Sequence, residues 1–271
     1  MQPVNKEINP REIEDRIQDL GGSGFPFQSR VASEIRKLSM FKVEEEVAWT
    51  DDDGSTGFID IVASNDNVCI CIECKAFKGT RLTFLAPDDT RVFSSNRMEA
   101  LVITREWLGA DVPVVKHGLC AGGPETPESQ YCVVGGQKGE SRLIEREIQP
   151  LIRGVERLAI DRVGLLGKST PTVCVPMFCT TATLATASYD PEDVSLEDSV
   201  FRAKKDHIEL LPSIRLTKQF TACNPCEARL RTVLITQAAE LSQVMRRMKV
   251  FAPPGPEAAV TFFHSLIPFK K

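Results

Sequence analysis

Apolar residues recur along this chain in two rhythms, and the change from one to the other marks out its elements. Phe27, Val31, Ile35 and Leu38 fall at helical spacing, which predicts an amphipathic helix over 27–39 with Glu34 beside the apolar stripe. Three β-type runs follow at 43–50, 57–64 and 68–76. Asp51-Asp52-Asp53-Gly54 and Asn65-Asp66-Asn67 separate them, and such turn formers predict an antiparallel meander. From 140 to 163 the pattern is helical again, with Leu143, Ile144, Ile148, Leu151, Ile152, Val155 and Leu158 on one side and Pro150 set to kink it. Strands are expected at 172–178, 183–189 and 230–235, a mixed segment around 208–216, and a last helix over 237–249. Asn9-Pro10 opens a short leading helix that Gly21-Gly22 closes. Residues 79–138 carry apolar pieces without a readable period and are treated as an insertion.

The composition, 42% apolar and 26% charged over 271 residues, fits a single soluble α/β domain over 1–271. No apolar run is long enough for a membrane helix, and the charged first 25 residues do not read as an export signal. With nine cysteines, an odd number, reduced thiols in a cytoplasmic protein are expected rather than a disulfide framework. The net charge of -4 argues against a protein that coats nucleic acid indiscriminately. That charge is uneven. Residues 42–66 hold eight acidic side chains against Lys42 alone, an excess that bound metal would partly offset, whereas 195–249 hold ten Lys/Arg against six Asp/Glu and offer a basic surface.

Chemistry concentrates on the second and third strands. Asp60 is a lone carboxylate inside an apolar run, where an unpaired charge is costly to bury. The third strand, Val68 to Lys75, is nearly all apolar until Glu73 and Lys75, which share one face by the two-residue period. With an Asn65-Asp66 turn, Asp60 lies opposite Cys71 and shares a face with Glu73 as a diagonal neighbour, roughly 5 to 7 Å away at Cβ. Two carboxylates that close can share a divalent cation, and a slip by one residue would separate them.

A Glu34-bearing helix, a three-strand meander with Asp60 and then Glu73-Cys74-Lys75, a long helix and another strand resemble the PD-(D/E)XK nucleases, the restriction endonuclease-like superfamily. The likeness covers about 27–180 and departs from the usual first motif in having no proline before Asp60. It implies an αβββαβ core with a mixed central sheet flanked by helices, with 181–271 extending the same domain. It implies Mg²⁺-dependent hydrolysis of DNA phosphodiesters, in restriction, phage defence or DNA processing, with Mn²⁺ able to substitute. Asp60, Glu73 and the backbone carbonyl of Cys74 would bind the metal. Lys75 would orient or help deprotonate the attacking water and offset transition-state charge, and Glu34 would reach the cluster through water or hold a second ion. A homodimer fits enzymes of this fold that cut both strands. Two readings from other classes use the same residues: a nuclease-fold module that binds DNA or a protein partner without cutting, and a structural protein in which Asp60, Glu73 and Lys75 form an internal ion cluster.

Other candidates rank lower. Gly164 to Thr170 imitates a phosphate-binding loop, but Arg162 stands where the first glycine belongs. Cys223 and Cys226 have zinc-ligand spacing, and Cys120 and Cys132 could supply two more thiolates only if the fold brings them together. His117, His207 and His264 are scattered and support no hydrolytic triad. Gln149 and the arginines 142, 146, 153 and 157 on the long helix could face a phosphate backbone, yet interleaved Glu145, Glu147 and Glu156 fit a salt-bridged surface equally well.

Overall fold

The computed structural model describes residues 24–77, 81–87, 95–107, 111–129, 131–134, 143–162, 172–189, 203–221 and 228–248. The leading helix, the Gly164–Thr170 segment and Cys223/Cys226 lie outside them. Helix α1, Phe25–Lys37, opens with Pro26 in its first turn and closes on Arg36 and Lys37, cations suited to a helix carboxyl end. It leads into an antiparallel meander of β1 (Lys42–Thr50), β2 (Thr56–Ser64) and β3 (Val68–Lys75).

The expected insertion forms strands: β4 (Arg81–Pro87), β5 (Ser95–Trp107), β6 (Asp111–Thr126), β7 (Glu128–Ser129) and β8 (Tyr131–Val134). Helix α2 (Leu143–Asp161) then carries the chain to β9 (Thr172–Thr180), which lies parallel to β3. After β10 (Thr183–Tyr189), the segment expected to be mixed resolves into β11 (Ala203–Leu211) and β12 (Ser213–Thr221), broken at Pro212. Strand β13 (Ala228–Gln237) follows, then a 3₁₀ turn (Ala238–Glu240) and α3 (Leu241–Met248).

The result is a mixed α/β fold with a large mixed sheet, ordered β1-β2-β3-β9-β13-β12-β7. Strand β9 is its hinge. One edge pairs with β3, while the other is shared between β5 at Thr172–Cys174 and β13 at Met177–Thr180. A second sheet, β11-β10-β4-β8, joins pieces of the insertion to the carboxyl-terminal part by the parallel pairing of β4 with β10.

Alternate residues of the apolar strands send side chains to two cores. Ile61, Ala63, Ile70 and Ile72 pack with Val31, Ala32 and Ile35 of α1 and with α3. Val62, Cys69 and Cys71 pack with Ile148, Leu151, Ile152 and Val155 of α2 and with the second sheet. The central sheet is therefore covered on both faces, which explains why β3 and β9 read as continuous apolar runs. Cys120 and Cys132 belong to different cores, so they do not pair up for zinc. All seven cysteines among the described residues are buried. No described helix is long and apolar enough to cross a membrane.

The acidic tip of the meander is held to α2 by ion pairs. Arg153 reaches Asp51 at 2.6 Å and Asp53 at 2.8 Å, and Arg157 reaches Asp52 at 2.7 Å. Arg162 binds Glu44 at 2.9 Å, and Arg36 of α1 binds Glu45 at 2.5 Å. Most of the negative excess over 42–66 is thus answered by arginines rather than left for a metal, and Arg153 and Arg157 do not form a phosphate-binding face.

Candidate functional site

The turn between β2 and β3 sets the site's register. Asn65 Oδ1 accepts the N–H groups of Asn67 and Val68, while Asn65 N–H donates to the Val68 carbonyl at 2.9 Å. The side chain mimics a backbone turn, so the two loop residues are Asp66-Asn67 and not the expected Asn65-Asp66. The ladder consequently pairs Ser64 with Cys69 and Ile61 with Ile72. This slip of two residues from the expected register preserves the faces and moves Asp60 from opposite Cys71 to opposite Glu73.

Pairing between β2 and β3 stops at Ile61/Ile72, and the carboxylate of Asp60 continues it. Its Oδ2 accepts the Cys74 N–H at 2.7 Å, in the place of a backbone carbonyl. The main-chain carbonyl of Asp60 accepts Nε2 of Gln28, a buried polar residue of α1, at 3.0 Å. On the other side, Glu46 of β1 stands opposite Asp60 with φ 51, and this is the one rung missing from an otherwise unbroken β1–β2 ladder.

Glu73 and Lys75 follow Cys69 and Cys71 on the α2 side of β3. Lys75 Nζ meets Glu147 Oε2 of α2 at 3.0 Å. No described side chain donates to the Glu73 carboxylate. Burial raises the pKa of Asp60 and is opposed by the Cys74 N–H and by Lys75. Burial, with the charges of Asp60 and Glu147 behind it, pushes Glu73 up to about 8 despite Lys75. The Cys74 thiol is buried and driven far above its ordinary value, so only its main chain is available for chemistry.

The structure thus brings Asp60, Glu73, Cys74 and Lys75 together and adds Glu147. Glu34 lies on α1, on the other side of the sheet from Glu73 and Lys75. Its carboxylate is bound by Lys37 at 2.6 Å, and it lines a cleft with Arg30, Thr180, Thr181 and Gln237. Gln149 is half-buried on α2, two residues beyond Glu147. Two of the residues at the site escape a motif search but leave a trace in the sequence. Gln28 precedes Val31, Ala32 and Ile35 by three, four and seven residues, so it is a polar side chain at a core position of α1. Glu147 adjoins Ile148 of the α2 core stripe. No family model, curated protein or solved structure matches the chain.

Proposed function

We propose that the protein is a metal-dependent nuclease of the restriction endonuclease-like class that hydrolyses DNA phosphodiesters. The observation that carries this reading is the convergence of Asp60 and Glu73 where the β2–β3 ladder ends, with Lys75 on the same face as Glu73. The order α1-β1-β2-β3, then α2-β9 with β9 parallel to β3, supports it.

The donor set suits a hard divalent cation such as Mg²⁺ or Mn²⁺. Glu73 has no described hydrogen-bond donor, and the neighbouring Asp60 charge adds to burial in raising its proton affinity, a strain that a cation relieves. Asp60 would offer the oxygen not taken by Cys74, Glu73 its carboxylate, and Cys74 its carbonyl, which in an extended strand points the same way as the N–H that Asp60 accepts. Bound there, the ion supplies a polarised phosphoryl oxygen and a more acidic water.

The protein's own groups complete the arrangement. Lys75 places a compact positive charge beside the carboxylates, where it orients the attacking water and offsets charge gained by the phosphoryl oxygens. Glu147 holds that ammonium over the site. Of the basic residues in the carboxyl-terminal part, Arg215 and Arg231 are buried in structural contacts, and Arg246 and Arg247 are exposed on α3, across the sheet from Glu73 and Lys75. The test is hydrolysis of plasmid and single-stranded DNA in Mg²⁺ or Mn²⁺, lost in Asp60→Ala. DNA retarded in a gel but never cut would instead favour the binding module.

A further inference from the structure

The missing rung at Glu46/Asp60 coincides with an inversion of side-chain direction in both strands. In β2, Ile61 and Ala63 belong to the α1 core, yet Ile59 packs with α2 beside Gly154. In β1, Val43 leans on the α1 core and Val47 on the α2 core. An undisturbed strand keeps residues two apart on one face, so the backbone turns over between Ile59 and Ile61. The left-handed conformation of Glu46, which strongly disfavours a side chain, is what lets β1 turn over at the same level.

This places Asp60 at the point of reversal, and its carboxylate lies between the strands to cap the Cys74 N–H. Gln28 meets the Asp60 main chain there from α1. It is buried on an apolar helix face and spends its amide on the Asp60 carbonyl at the level where the β1 rung is absent. We propose that Gln28 is a positioning residue: with the left-handed turn at Glu46 it fixes the Asp60 main chain so that the carboxylate is pre-aimed at the end of β3. The inference deepens the nuclease reading but is stated for the metal-free protein, so the two can fail separately.

The test is amide hydrogen exchange of the metal-free chain, read at Cys74 against Ile70 and Cys71 of the same strand. Gln28→Met is expected to speed exchange at Cys74 at least tenfold with Ile70 and Cys71 unchanged. Glu46→Gly, which keeps the left-handed turn open to the backbone, should leave Cys74 protected. Glu46→Val, which cannot adopt it without strain, should release Cys74 as Gln28→Met does. Should Gln28→Met prove too unstable to measure, the wild type decides: the Gln28 side-chain amide protons should exchange as slowly as the Cys74 N–H, and fast exchange there overturns the proposal. Cys74 protection that survives Gln28→Met or Glu46→Val overturns the proposal. DNA cleavage by the wild type is scored separately, so a non-cutting protein with the expected exchange pattern retains the positioning role and loses only the nuclease reading.

Discussion

Lys75 at the end of β3 and Glu147 in α2 meet at 3.0 Å across the space between sheet and helix, and Glu73 stands on the same side of β3 as Lys75. Lys75 is 40% exposed, so the pair contributes under about 1 kcal/mol to the fold. Its weight is electrostatic. Glu147→Gln removes a negative charge that holds protons on Glu73 and frees Lys75 to favour the Glu73 anion. The Glu73 midpoint is expected to fall below about 8, as read by NMR of the labelled carboxyl carbon.

The raised pKa of Glu73 also gives stability a pH slope. An ordinary Glu titrates near 4.5 and Glu73 near 8, so between these values the folded chain binds more protons than the unfolded one. Stability contributed by the neutral form is therefore present at low pH and lost as pH rises from about 4.5 to about 8. Urea unfolding of Glu73→Gln should lack this decline. Because a cation must displace the same proton, the gain in Tm from Mn²⁺ should be larger at pH 8.5 than at pH 6 in the wild type, and absent in Glu73→Gln.

The arginines of α2 that hold the meander tip are unequal. Asp51 is buried and bound by Arg153, while the partner of Arg157, Asp52, is 78% exposed. Arg153→Met strands a buried carboxylate and should cost about 3 kcal/mol. Arg157→Met should cost less than about 1 kcal/mol. Equal losses in chemical denaturation would contradict this division.

Trp49 fits only because two glycines make room for it. A Cβ at Gly57 would come within 2.5 Å of the indole, and one at Gly154 within 2.7 Å. In a helix, Gly→Ala ordinarily stabilises by about 1 kcal/mol. At Gly154 overpacking is expected to win, with a net loss of about 1–2 kcal/mol and a changed Trp49 environment in fluorescence.

The meander, both long helices and the strands around β9 were legible because each helix buries a face with a clear period and each central strand is an apolar run bounded by turn formers. Where reading stopped, the cause was physical. In 79–138, β5 and β6 pair as a hairpin, but β4 and β7 are short and find partners in β10 and β12 far along the chain, so no local pattern announces the whole. The register of Asp60 turned on one side chain, Asn65, acting as a piece of turn. The slip brought Asp60 level with Glu73, and the reversal of β2 at that point turned its carboxylate to the end of β3. Glu34 sat at an equally suggestive position beside a helix stripe, but which face α1 covers is decided by packing and not by its own sequence. The acidic run over 42–66 could not show that most of its partners lie about a hundred residues away, on α2 and just past its end.

The central claim is that Asp60, Glu73 and Lys75 form one metal-dependent hydrolytic site. Single-turnover cleavage of DNA in Mg²⁺ tests it most directly, with Asp60→Asn, Glu73→Gln and Lys75→Ala set beside Glu34→Gln. Each of the first three should cut about a hundredfold or more slowly than the wild type, and Glu34→Gln within about threefold of it. Metal-dependent cleavage that survives Asp60→Asn or Lys75→Ala, or a wild-type protein that binds DNA and leaves it whole, would contradict the account.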